Sequence, residues 1–95
     1  MASPPTPAEF VARFPEFTGA PTDLVQAKID DAVQRTDAGV WGDLWLQGVV
    51  YRTADLLAKS PFGRTMKMVA DGRSVYWDDL QTMVRRVAAG QPRVL

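Results

Sequence analysis

Residues that disfavour a continuing helix cut this 95-residue chain into short lengths: Pro15 and Pro21 near the start, Gly39 and Gly42 in the middle, Pro61 beyond them, then Gly90 and Pro92. Proline lacks the N–H that the helical ladder needs and its ring collides with the preceding turn, while glycine after an apolar run favours termination. Between these stops the apolar residues recur every three or four positions, the period of a helix with one buried face. The chain is therefore held to a few helices, none longer than about five turns, folded back on one another.

The first length opens with "TPAEF". Thr6 suits an N-cap, Pro7 the first helical position, and Glu9 the reciprocal place in a capping box. Phe10 and Phe14 are four apart and share a face, and Pro15 disfavours the helical conformation at Phe14. Phe17 follows in a turn finished by Gly19 and Pro21. Phe10, Phe14, Pro15 and Phe17 are thus expected to form a structural corner, with rings on both sides of an obligatory break.

A second helix is expected from Thr22, read as its cap, with Val25, Ile29, Ala32, Val33 and Thr36 inward and Gln26, Lys28, Asp30, Asp31 and Gln34 in water. Gly39 should cap its end, and "VWG" should connect onward. The third, over 43–59, is the most apolar: Leu46, Val50, Ala54 and Leu57 make one row, and Trp45, Val49 and Leu56 widen it. Gly48 inside that pattern permits close approach of another backbone.

Residues 60–73, "SPFGRTMKMVADGR", lack helical periodicity and read as a long loop, with 65–69 as a short strand closed by "DG" in the alternative. A fourth helix should start at Ser74, turn Tyr76, Leu80, Met83, Val84 and Val87 inward, and be capped by Gly90. The expected fold is all-α: a single domain over 1–95, with one short and three longer helices, a flexible 1–5, a loop or small hairpin before the last helix, and an extended tail over 91–95.

Chemistry is scarce. With no cysteine and no histidine, disulfides, thiolate nucleophiles and the usual base of a hydrolytic triad are all missing. A metal would need carboxylates alone, and the pairs Asp30/Asp31 and Asp78/Asp79 diverge by about 100° around a helix. There is no glycine-rich phosphate loop. No catalytic, metal or cofactor residues are expected, and hence no enzyme.

Eleven basic residues balance eleven acidic ones, which gives no global field toward nucleic acid or an anionic membrane. The distribution is uneven: residues 1–31 hold five acidic residues against two basic, and 64–95 hold six basic against three acidic. An acidic and a basic side suit copies that meet head to tail. The start, "MASPPTPAEF", is unlike a signal peptide, and no segment approaches the roughly 20 apolar residues of a membrane span, so a cytoplasmic chain without a membrane partner is expected.

Trp41, Trp45, Gly48, Tyr76 and Trp77 are candidates either for a small core or for a subunit interface, where Trp and Arg commonly dominate. Phe62, Arg64, Lys67 and Arg73 mark a segment that would face a channel or a neighbouring copy. Arg93, Val94 and Leu95 read as a docking tail, since two apolar side chains make little sense in a solvated tail. A different class of function, a small helical regulatory protein binding nucleic acid through Arg85, Arg86 and Arg93, is the alternative.

The succession "FVARFPEFTG", an amphipathic helix with "AKIDDA", "VWG" and "VVYRTADLLAKSP" resembles the small head-to-tail connector, or neck adaptor, proteins of tailed bacteriophages. The resemblance covers residues 9–61, and the end, "GQPRVL", matches less specifically. Relatives tend to have histidine where Asp55 stands, and a longer loop before the last helix. The resemblance implies a structural virion protein of the neck, assembled in the host cytoplasm as a twelve-fold ring under the portal protein. Such a ring extends the DNA channel, passes double-stranded DNA without binding it specifically, and offers a platform to a tail or head-closure protein.

Overall fold

The computed structural model describes residues 3–70 and 73–90. Thr6 caps the first helix, α1, Pro7–Arg13: its hydroxyl accepts from the Glu9 N–H at 3.1 Å, and Glu9 Oε1 accepts from the Thr6 N–H at 2.9 Å. The Phe14 N–H closes the helix on the Phe10 carbonyl, and a 3₁₀ turn, Pro15–Phe17, follows. Of the N-terminal segment expected to be flexible, Pro5 is buried.

Helix α2 runs Thr22–Arg35. Its N-cap is Pro21, so Thr22 is the first helical residue and does not cap as expected; a capping hydroxyl has to come from the residue before the helix. Nor does Gly39 end it. The end falls at Thr36, a buried residue whose hydroxyl donates to the Ala32 carbonyl at 2.8 Å and whose own carbonyl accepts the Trp45 indole N–H at 2.8 Å. Asp37 then caps a one-turn helix α3, Ala38–Trp41, by accepting from the Gly39 N–H, and Gly42, at φ 53°, closes it.

After a 3₁₀ turn, Gly42–Leu44, α4 spans Trp45–Lys59 through the middle of the molecule. Trp45, Val49, Val50, Ala54 and Leu57 are buried, as the apolar pattern requires. Leu46, expected in the buried row, is 38% exposed. It belongs to the first turn of α4 and borders an open groove with Pro5, Glu9 and Arg13, where the packing partner runs out.

The expected loop after α4 is in part a helix: α5, Pro61–Thr65, is capped by Ser60, whose Oγ accepts from the Gly63 N–H. Five residues are too few to display a period. Its end is a Schellman motif, with Met68 N–H bonded to the Gly63 carbonyl, Lys67 N–H to the Arg64 carbonyl, and Lys67 left-handed at φ 58°. The apolar contact that accompanies such caps is also present, since Met68 is buried in the cluster against which Phe62 packs.

The chain then forms a minimal hairpin. β1, Val69–Ala70, pairs antiparallel with β2, Arg73–Ser74, with Val69 opposite Ser74 and Ala70 opposite Arg73. Residues 65–69 are thus not the strand; only Val69 belongs to it. Ser74 lies in β2 and does not open the last helix, α6, which runs Trp77–Gly90. Leu80, Met83 and Val87 are buried on its inner face and Val84 is half-buried.

The result is a small all-α bundle around α4, which supplies two apolar clusters. One gathers Phe10, Phe14, Phe17, Ile29, Leu57 and Tyr76; the other gathers Ala32, Trp41, Trp45, Val49, Leu80 and Met83. Burying one such large side chain is worth about 1.5–3 kcal/mol against exposure. The breadth of the apolar face of α4 is accordingly used inside the chain, toward α2 and α5 on one side and α6 on the other.

Candidate functional site

The aromatic corner is assembled by the break at Pro15. The Phe10 and Phe14 ring centroids are 5.3 Å apart, Phe10 and Phe17 5.4 Å, and Phe14 and Phe17 6.4 Å. Phe14 also meets Tyr51 edge-on at 5.4 Å and Tyr76 edge-on at 5.5 Å, separations at which ring quadrupoles attract. Pro15 is exposed and acts only through the backbone it fixes. Tyr51 and Tyr76, from distant parts of the sequence, thus converge on Phe14.

Tyr76 completes the joint. Its hydroxyl donates to Glu16 Oε2 at 2.5 Å, and burial together with the Glu16 carboxylate pushes the phenol well above its ordinary value. The 3₁₀ turn after Pro15 is in this way tied to the residue that leads into α6.

Trp41, Trp45, Gly48 and Tyr76 are all buried within the chain, and Trp77 is half-exposed. Gly48 receives a ring and not the backbone expected of its neighbour: a Cβ there would lie 2.5 Å from Cε3 of Trp41. Arg52, one turn on, sits with its guanidinium 6.0 Å from the Trp41 ring centroid. Burial first, and then the nearby Arg35, lower its pKa, while Asp55 acts in the opposite sense.

Asp55 was given no role by the sequence. It is 5% exposed, pairs with Lys59 Nζ at 3.0 Å and accepts a hydrogen bond from the Ser74 hydroxyl, which itself accepts from the Tyr76 N–H. A carboxylate in an apolar helix thereby anchors β2 to α4. A signal did exist: a lone aspartate at the centre of the apolar third helix, two residues after Thr53, has to find partners if it is buried.

The four residues assigned to a channel or neighbour face separate. Phe62 turns inward, 6.3 Å from the Phe17 ring, whereas Arg64, Lys67 and Arg73 are exposed. Arg64 Nε donates to the Lys59 carbonyl at 3.0 Å. Arg73 stacks over Trp77, its guanidinium carbon 4.2 Å from the ring centroid. Val75, between them in sequence, is 58% exposed, and Met66, at the entry to the hairpin, 53%.

Arg85 and Arg86 are exposed on α6. Arg93, Val94 and Leu95, the expected docking tail, lie outside the described residues. Among the described residues no group of three or more acidic side chains is placed to hold a metal ion, and no helix is long and apolar enough to cross a membrane. No protein-family model matches the chain, and neither the curated proteins nor the solved structures contain a match.

Proposed function

We propose that this chain is a head-to-tail connector subunit of a tailed bacteriophage, a structural protein that forms a ring under the portal and continues the DNA channel toward the tail. The observation that carries the reading is the corner. The stretch with the most distinctive resemblance, Arg13 to Phe17, folds into a joint in which Phe14 is held by four other rings. A subunit repeated around a closed ring has to reproduce its internal angle in every copy, because an angular error accumulates with each step. A proline break locked by aromatic packing supplies that reproducibility.

Two further features favour assembly. The lack of net charge spares a DNA passage from tight phosphate contacts. The stacked pair of exposed Arg73 and half-exposed Trp77 offers the residue types on which interfaces commonly depend. In this reading Arg93, Val94 and Leu95 dock on the portal or an adjacent subunit.

Co-expression with the portal protein of the same phage, followed by electron microscopy of the purified complex, tests the proposal. A ring of added density beneath the portal is expected, lost when 92–95 are deleted while the subunit stays helical. A portal that emerges bare would refute it. A gel shift on duplex DNA that weakens steeply with salt would favour instead the regulatory reading through Arg85, Arg86 and Arg93.

A further inference from the structure

We propose that the outer face of the hairpin, Arg73 stacked on Trp77 with Val75 between them, grips the acidic outer stripe of α2 on a second copy of this chain. The inference rests on the ring reading above and names the contact that would build it.

The hairpin face is built to bind. Arg73 and Val75 are exposed and Trp77 is half-exposed, while Ser74 and Tyr76 alternate with them and are buried, and the stacking of Arg73 on Trp77 brings the first and last of the outward residues together. The Arg73 guanidinium is already ordered on the indole, which removes part of the entropy cost of fixing it in an interface. Val75 and Met66 are more exposed than any other large apolar side chain among the described residues. Lys67 and Arg64 add positive charge at the hairpin's entry, and the Schellman turn fixes the direction in which Lys67 leaves it. Asp78 and Asp79 follow Trp77 on α6 about 100° and 200° further round, both exposed.

The complementary surface is on α2. Asp23, Ala27, Asp30 and Gln34 recur at helical spacing and all are exposed, so two carboxylates flank a small apolar centre. The basic residues of that helix, Lys28 and Arg35, lie more than about 100° around from Asp23. A basic face with apolar side chains at its middle therefore meets an acidic stripe with alanine at its middle. Two hairpin faces would instead set Arg73 and Lys67 against their own kind. Duplex DNA would use the cations but leave Val75 and Met66 without a partner. Because the two surfaces are different parts of the chain, the contact is heterologous, and copies linked by it close into a ring if the rotation fits.

The chain has no cysteine, so disulfide capture reads the contact directly. Val75→Cys and Ala27→Cys variants, both at exposed positions, are mixed in equal amounts under mild oxidation. The cross-linked 75–27 heterodimer is expected at about tenfold over either homodimer, and a chain carrying both substitutions should give a ladder. Adding Arg73→Glu should cut the yield about tenfold, and Asp30→Lys on the partner should restore it.

Homodimers and heterodimers in statistical proportion, or a yield indifferent to Arg73→Glu, would overturn the surface. So would capture of duplex DNA by the hairpin face with no heterodimer. Rings on the portal that lack the 75–27 cross-link would overturn this contact and leave the connector reading standing. The cross-link in a protein that never attaches to the portal would support the contact and overturn that reading.

Discussion

Replacing Gly63 by alanine should be among the most damaging small changes available to this chain, and its cost follows from distances. A Cβ on Gly63 would fall 2.1 Å from the Ala58 carbonyl oxygen and 2.4 Å from the Ala58 carbonyl carbon and Cα. Ordinary contact begins at 3.4 Å, so α5 would have to withdraw by more than about 1 Å. Ala58 is backbone in the last turn of the buried α4 and cannot give way. Withdrawal would separate Phe62 from Phe17 and pull at the Met68 N–H bond that closes the Schellman turn. Overpacking of this kind costs about 1–3 kcal/mol, and the better helix propensity of alanine returns up to about 1. Because the obstacle is backbone, the upper end applies, and a net loss of about 2 kcal/mol is expected. Two other glycines differ in what surrounds them. At Gly19 the added Cβ would sit 3.8 Å from Phe62, an ordinary contact, and alanine there should lie within about 0.5 kcal/mol of the parent. At Gly48 the obstacle is the Trp41 ring, which can tilt, so an intermediate cost of about 1 kcal/mol is expected. Urea unfolding followed by far-ultraviolet circular dichroism measures all three, with unchanged slope as the check that only stability moved. A Gly63→Ala variant as stable as the parent, or one less affected than Gly48→Ala, would show that the joint between α4 and α5 is not held by backbone contact.

Asp55→Ala should cost about 2 kcal/mol, less than a fully buried pair would, because Lys59 is partly solvated; amide exchange at Val75 should quicken more than at Ile29, and equal changes at both would refute a local anchor. Trp45→Phe removes the indole donor to the Thr36 carbonyl and should lose about 1–3 kcal/mol, with the end of α2 showing the largest loss of exchange protection. Tyr76 has a pKa raised in the fold, so above the ordinary phenol value of about 10 the unfolded chain loses its proton first and the native state keeps it. Stability should therefore fall as pH rises past 10, and Tyr76→Phe should flatten that fall; a parent with no slope there would contradict the burial of the phenol beside Glu16.

What the sequence disclosed and what it withheld divide along a physical line. The capping box at Thr6 and Glu9, the Phe10–Phe14–Phe17 corner and the inner face of α2 were legible because each depends on residues fewer than about fifteen apart, where spacing alone decides who meets whom. Thr36 against Gly39 shows the limit: both can end a helix, and the choice fell to Thr36 because Trp45, nine residues on, supplies a buried donor to its carbonyl. The anchor of Asp55 on Ser74 and the pairing of Glu16 with Tyr76 join residues 19 and 60 apart; the apolar surroundings mark Asp55 as needing a partner but do not name Ser74, and nothing local marks the second pair. The helix α5 was hidden for another reason, since one turn has no period, although Ser60–Pro61 carried a cap and a first-turn proline. These misses bear on the proposed contact, because α5, the Schellman turn and the Asp55 anchor together position the hairpin, which carries Arg73 and leads to Trp77. Arg73 and Trp77 are four apart in the sequence, but they stack because β2 ends and α6 begins between them. A loop read from composition would have left both as separate solvated residues; held by a buried carboxylate on one side and a backbone-tight helix joint on the other, they become one preformed surface.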